Sequence, residues 1–225
     1  MIRNFLGPIW AIAWKDILLE IRTKEIVTPV VVFAILVVVI FNFAIEPTPQ
    51  MVAAVAPGIL WVAFTFAGIL GLNRTFSLEK DKGSLDGLML CPVSRDTIYF
   101  GKVLGSYLFM LAVEAIMLPV FAVLFNLSLF LPEVILVAAT ATLGFAAVGT
   151  VFSAMAANTR SREIMLPVLF FPIALPVVIA AVEGTAGTLR GDGWSEIGRW
   201  VQLIGVFDVI FLVVSGFAFH FALEE

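Results

Sequence analysis

Few side chains in this 225-residue chain could do chemistry, and those few are isolated from one another. Glu114 and Asp208 stand inside long apolar runs. A carboxylate at membrane depth is a candidate for proton or cation handling, because leaving it in lipid is expensive. Either acid could instead be neutral or hydrogen-bonded and serve packing, and no chain of acids and histidines joins them into a relay. His220, the one histidine, could ligate a haem iron; at the end of the last apolar run it reads better as a surface or interface residue. Cys91, the one cysteine, sits in LMLCPV and reads as a small buried hydrophobe. A single cysteine allows no internal disulfide and no CxxC pair, and a zinc or iron–sulfur site needs three or four ligands. Gly101-Lys102 imitates the end of a phosphate-binding loop, but Val103 follows it and Asp96 stands where that loop requires glycine. Any nucleotide must therefore be hydrolysed by a partner, and Gly101 and Gly105 read as a small-xxx-small packing pair. Trp61, deep in an apolar run, could line a path for a planar apolar molecule, but reads better as a packing residue.

The elements that must position these residues follow from composition. The chain is 61% hydrophobic and 13% charged, with mean hydropathy +1.09, against roughly 25% charged residues in soluble domains. This predicts an all-α polytopic membrane protein forming a single domain over 1–225. The net charge of −4 and the lack of a basic stripe argue against a nucleic-acid partner.

Six spans of near the roughly 20 residues needed to cross hydrocarbon are predicted at about 26–45, 52–72, 99–125, 133–157, 164–182 and 201–221. Residues 1–25 fail as a signal peptide at Lys15 and Asp16. Trp10, Trp14, Ile17, Leu18 and Ile21 share one side of a wheel, with Lys15, Asp16, Glu20 and Arg22 on the other. This predicts an amphipathic interfacial helix, with Ile12 and Leu19 on the wrong side. Basic residues concentrate at Arg22 and Lys24, between Arg74 and Lys102, and at Arg160 and Arg162, so both termini and the charged 74–98 segment are expected in the cytoplasm. That segment is expected to be a loop holding a short amphipathic piece, with Leu85, Leu88 and Leu90 free to press on another protein. Pro167, Pro172 and Pro176 predict a bent or broken fifth span. The stretch from Glu183 to Trp200 is expected to be an external loop or re-entrant turn.

Three motifs then carry a resemblance. APGILW at 56–61, LEKDKGSLDGLMLCPV at 78–93 with Lys102 after it, and FPIALP at 171–176 resemble the B subunit of the cytochrome c maturation haem exporter, the CcmB family. The resemblance implies an ABC-2 type permease of the bacterial inner membrane, with no ATPase of its own and no bound cofactor. Its implied partners are the cytoplasmic ATPase CcmA, the haem-handling membrane protein CcmC, the small membrane protein CcmD and the periplasmic haem chaperone CcmE; the complex supports haem delivery and release of the haem-loaded chaperone, and the resemblance leaves open whether haem passes through this chain. By motif position Glu79, Gly83, Leu85, Leu88 and Pro92 would belong to the coupling helix that docks on the ATPase. Two other readings of the chain stay open at this point. One is an ABC-2 permease for another apolar substrate such as a drug, lipid or polysaccharide; the other is a scaffold that anchors the ATPase without transporting anything.

Overall fold

The computed structural model describes residues 2–45, 48–81, 83–157, 159 and 162–222, and within these the side chains of 2–5, 49, 50, 74, 75, 77, 78, 81, 85, 86, 162, 163 and 220–222 are not described. Eight helices follow in chain order: α1 (Ile2–Thr23), α2 (Val27–Ala44), α3 (Pro49–Asp81), α4 (Ser84–Met89), α5 (Arg95–Phe125), α6 (Pro132–Ala157), α7 (Arg162–Arg190) and α8 (Trp194–Ala222). Six of them contain stretches long and apolar enough to cross a membrane: Val27–Ala44, Met51–Asn73, Arg95–Phe125, Pro132–Ala157, Ile164–Arg190 and Trp194–Phe219. The expected six-span, all-helical membrane protein is the observed fold.

Local chemistry explains the sharpest boundaries. Ser94, with extended backbone, accepts from the Thr97 N–H at 3.3 Å and so caps the first turn of α5. Asn126 ends that helix in the left-handed conformation, φ 50°, which asparagine tolerates better than most residues. Gly83 (φ +66°) and Gly191 (φ +78°) supply the turns after α3 and α7.

Three expectations need correction. The segment 74–98 is not a loop throughout: α3 runs unbroken to Asp81, eight residues past the apolar stretch that ends at Asn73, or about 12 Å of extra helix. Its charges are there to leave the hydrocarbon, and nothing in them breaks a helix. The fifth span is not broken, since α7 continues through all three prolines to Arg190. Each proline removes one donor, and in lipid the neighbouring backbone bonds have no competing water partner. The external stretch is therefore mostly helix. Glycine and threonine there serve packing: Gly184 faces Val137 and Trp200, Thr188 bonds back to the Gly184 carbonyl at 2.9 Å, and only Gly191–Gly193 separates α7 from α8.

The main core lies among α3, α5, α6 and α7, with α6 the most enclosed helix. Trp61 is fully buried there, edge-on to Phe64 and Phe145, and Phe145 is edge-on to Phe170. A second, smaller core forms below it from Ile12, Phe76, Ile98, Tyr99, Val103, Val151 and Phe219. This second core joins α1 to the lower ends of α3, α5, α6 and α8.

Candidate functional site

Among the described residues, the densest polar arrangement lies beside that second core, where α1 crosses α5. Two glycines make the crossing possible. A Cβ at Gly101 would stand 2.8 Å from the Ile12 Cβ, and one at Gly105 would stand 3.5 Å from the Ala13 Cα and 3.3 Å from Asp16 Oδ2. Four residues apart on α5, they form the flat strip on which α1 lies, as the small-xxx-small reading anticipated. The consequence for α1 is a different inner face from the one a helical wheel suggests. Ile9, Ile12 and Ala13 are buried with Asp16 beside them, whereas Trp10, Trp14, Leu19 and Ile21 are exposed. Ile12, expected on the wrong side, is the residue that seats the helix.

Close approach of the two backbones brings Asp16 to Lys102. Their Oδ2 and Nζ are 2.9 Å apart, and the same ammonium pairs with Glu79 of α3. Lys15 completes the set, with its Nζ 2.5 Å from Glu79 Oε1 and 3.1 Å from Asp16 Oδ1. Lys102 has no exposed side-chain surface, Glu79 only 4%, and the ammonium lies 5.5 Å from the centre of the Phe76 ring. Two cations and two anions thus neutralise one another where three helices meet. Pairing of this quality is what permits Lys102, Glu79 and most of Asp16 to leave water, with Lys15 half-exposed at the rim, since either sign alone would meet a desolvation penalty of several kcal/mol. Burial pushes the Glu79 carboxyl up, but Lys102 and Lys15 outweigh it and hold the group below its ordinary range. At Asp16 burial prevails and, with Glu79 nearby, raises the carboxyl despite its lysine partners. Burial opposes the charge on Lys15, yet the two carboxylates together leave its affinity for the proton raised.

The short helix α4 hangs from this junction. Ser84 donates to the Glu79 carbonyl at 3.1 Å, and Gly83 turns the chain by bonding to the Lys80 carbonyl at 3.0 Å. Leu88 is tucked against the second core, Pro92 is exposed, and Leu90 is 88% exposed with Met89 beside it. Two expected docking residues are thereby relocated. Glu79 faces the interior junction, and Leu88 faces the protein's own core. The Leu85 side chain, also expected at this surface, lies outside the described residues, as does that of His220. Cys91 is exposed, contrary to the buried reading, with its thiol directed at the Gly87 carbonyl at 3.5 Å. The pairing of Lys15 and Lys102 with Asp16 and Glu79 escaped the sequence reading. Its one legible sign was the flawed amphipathicity of α1, where a charged residue shares a face with Ile12.

The intramembrane candidates are dispersed. Glu114 is buried and accepts from Thr142 of α6. Trp61 donates its indole N–H to Thr185 Oγ1 at 3.0 Å, which ties α3 to α7 and assigns the ring to packing. Asp208 is buried against Gly144, where an added Cβ would lie 2.5 Å from its Oδ1.

The model of the CcmB protein family matches residues 8–225. The chain belongs to the CcmB family. Among its relatives, Heme exporter protein B of Pseudomonas aeruginosa is 29% identical over 171 residues, covering 76% of each chain. The protein of the same name from Bradyrhizobium diazoefficiens is 26% identical over 211 residues, covering 92% of this chain and 93% of its own. That of Rhodobacter capsulatus is 30% identical over 176 residues, covering 77% and 80%. The family reading drawn from the 56–61, 78–93 and 171–176 motifs is borne out over nearly the full length. The described junction and α4 fall within the matched residues, so they are parts of a CcmB-family membrane domain.

Proposed function

We propose that this chain is the membrane permease subunit of an ABC-type haem exporter serving c-type cytochrome biogenesis, moved by an ATPase on a separate polypeptide. The observation that carries this reading is the position of α4. It presents an apolar strip, Met89 and Leu90, away from the bundle, and its attachment point is an ion-paired junction that binds α3, α1 and α5 into one unit. A push on α4 is therefore delivered to three helices together, as a rigid-body movement and without local bending. ATP hydrolysis does work here only if the docked subunit contacts α4 differently in its two nucleotide states.

In this assembly CcmA docks from the cytoplasm, CcmC and CcmD lie beside the spans in the inner membrane, and CcmE receives haem on the periplasmic side. In this reading both termini lie in the cytoplasm, which the basic residues at the helix ends support. Gly83 and Pro92 bound the docking segment, and Leu90 replaces Glu79 and Leu88 as its central contact.

Leu90→Asp in the assembled complex tests the reading, because it charges the exposed strip and leaves the second core alone. Loss of c-type cytochromes with normal membrane insertion is expected; normal ATP turnover together with normal cytochrome assembly would overturn the coupling assignment. Leu88→Asp, by contrast, should lower the amount of folded protein. A deletion strain that keeps its c-type cytochromes would overturn the haem reading itself.

A further inference from the structure

Beside the junction runs an apolar groove of about 360 Å³, bounded by the second half of α1, the start of α2 and α5 from Gly105 to Ala112. We infer that this groove is a site for one membrane phospholipid with an amine-bearing headgroup, its acyl chain along α5 and its ammonium at the α1–α2 corner. The inference goes beyond the transport reading and does not depend on it.

Depth decides the first half. The floor, Phe109 and Ala112, belongs to a span, and the groove follows that span for about 10 Å. Its roof is α1, whose exposed Trp10 and Trp14 stack with ring centres 6.1 Å apart and mark the helix as interfacial. An apolar space between an interfacial helix and a span opens on acyl chains, and a hydrocarbon tail is the occupant that leaves no polar group unpaired there.

Charge decides the second half. Asp16 and Glu79 border the groove but are neutralised by Lys102 and Lys15. At the mouth stand Glu20 and Glu25 against Lys24, an excess of one negative charge. Glu20 is held in place by accepting the Ile26 and Val27 N–H groups at 3.1 and 2.6 Å, so this corner is built. Such a mouth repels an anionic headgroup, or an amphiphile with free carboxylates, and attracts an ammonium.

The test uses the full complex in nanodiscs containing equal phosphatidylethanolamine and phosphatidylglycerol, followed by detergent exchange and mass spectrometry of retained lipid. One phosphatidylethanolamine per chain is expected, enriched about fivefold over phosphatidylglycerol for a single unit of charge. Ala112→Trp, at an exposed position on the floor, should abolish retention. Glu25→Lys, exposed at the rim, should reverse the preference. Retention by Ala112→Trp at the unmodified level, or a lipid ratio equal to the bulk bilayer in all three proteins, would overturn the site.

Discussion

Replacing Lys102 by methionine keeps the unbranched apolar stem and removes the charged end, and the structure allows the consequence to be worked out. Lys102 is the wholly buried member of the junction, paired with Asp16 at 2.9 Å and with Glu79. Without it, two carboxylates share Lys15, whose side chain is 45% exposed and therefore screened by solvent. Removing one partner of a buried ion pair weakens a structure by about 3–5 kcal/mol, because the charge left behind is uncompensated. The affected contact is the docking of α1 on α5, and a loss of that size raises the population of undocked α1 by roughly two to four orders of magnitude. Hydrogen exchange on the complex in nanodiscs reads this directly, since the backbone amides of α1 lose protection while those of α6 do not. The triple variant Lys102→Met, Asp16→Asn, Glu79→Gln removes the stranded charges and should recover most of the protection. Wild-type exchange of α1 in the single variant would refute the claim that the junction holds α1, and failure of the triple variant to recover would show that the lysine acts through packing alone.

The same exchange measurement checks the helix crossing. Gly101→Ala should loosen α1 by about 1–3 kcal/mol, the range for overpacking a tight contact. Gly105→Ala should do less, because its new methyl meets Asp16 Oδ2 at 3.3 Å whereas that of Gly101→Ala meets Ile12 Cβ at 2.8 Å; the reverse order would contradict the geometry. The response to pH follows from the charges. Glu79 is held below its ordinary 4.5, so its contribution is complete above that value and is lost as pH falls beneath it. Lys15 is raised above its ordinary 10.5, so its contribution is complete below that value and is lost at higher pH. Asp16, raised from 3.8, acts in the opposite sense to Glu79 and makes the acid limb shallower. Protection of α1 should therefore fall in acid, as Glu79 is protonated, and in alkali, as Lys15 loses its proton, and unchanged protection at both ends would exclude this cluster as its origin.

What the residues alone determined is the part of the molecule ruled by solvent. Twenty apolar residues in a row have one low-energy environment, so the six spans, the amphipathic α1 and the polar segment between α3 and α5 were all legible from composition and spacing. The glycine pair at 101 and 105 was legible too, because two small residues one turn apart on a span have few uses other than close approach. Tertiary structure decided what lies wherever two environments compete. EGTAGT at 183–188 carries loop-forming residues, yet packing of Gly184 on Val137 and Trp200 and the bond from Trp61 to Thr185 make it helix. Glu79 could as well have faced a partner. It turns inward because α1, more than sixty residues earlier in the chain, brings Lys15 to it while α5 brings Lys102. An ion pair between distant segments leaves no periodicity behind, since it depends on where three helices meet and not on how any one of them is patterned.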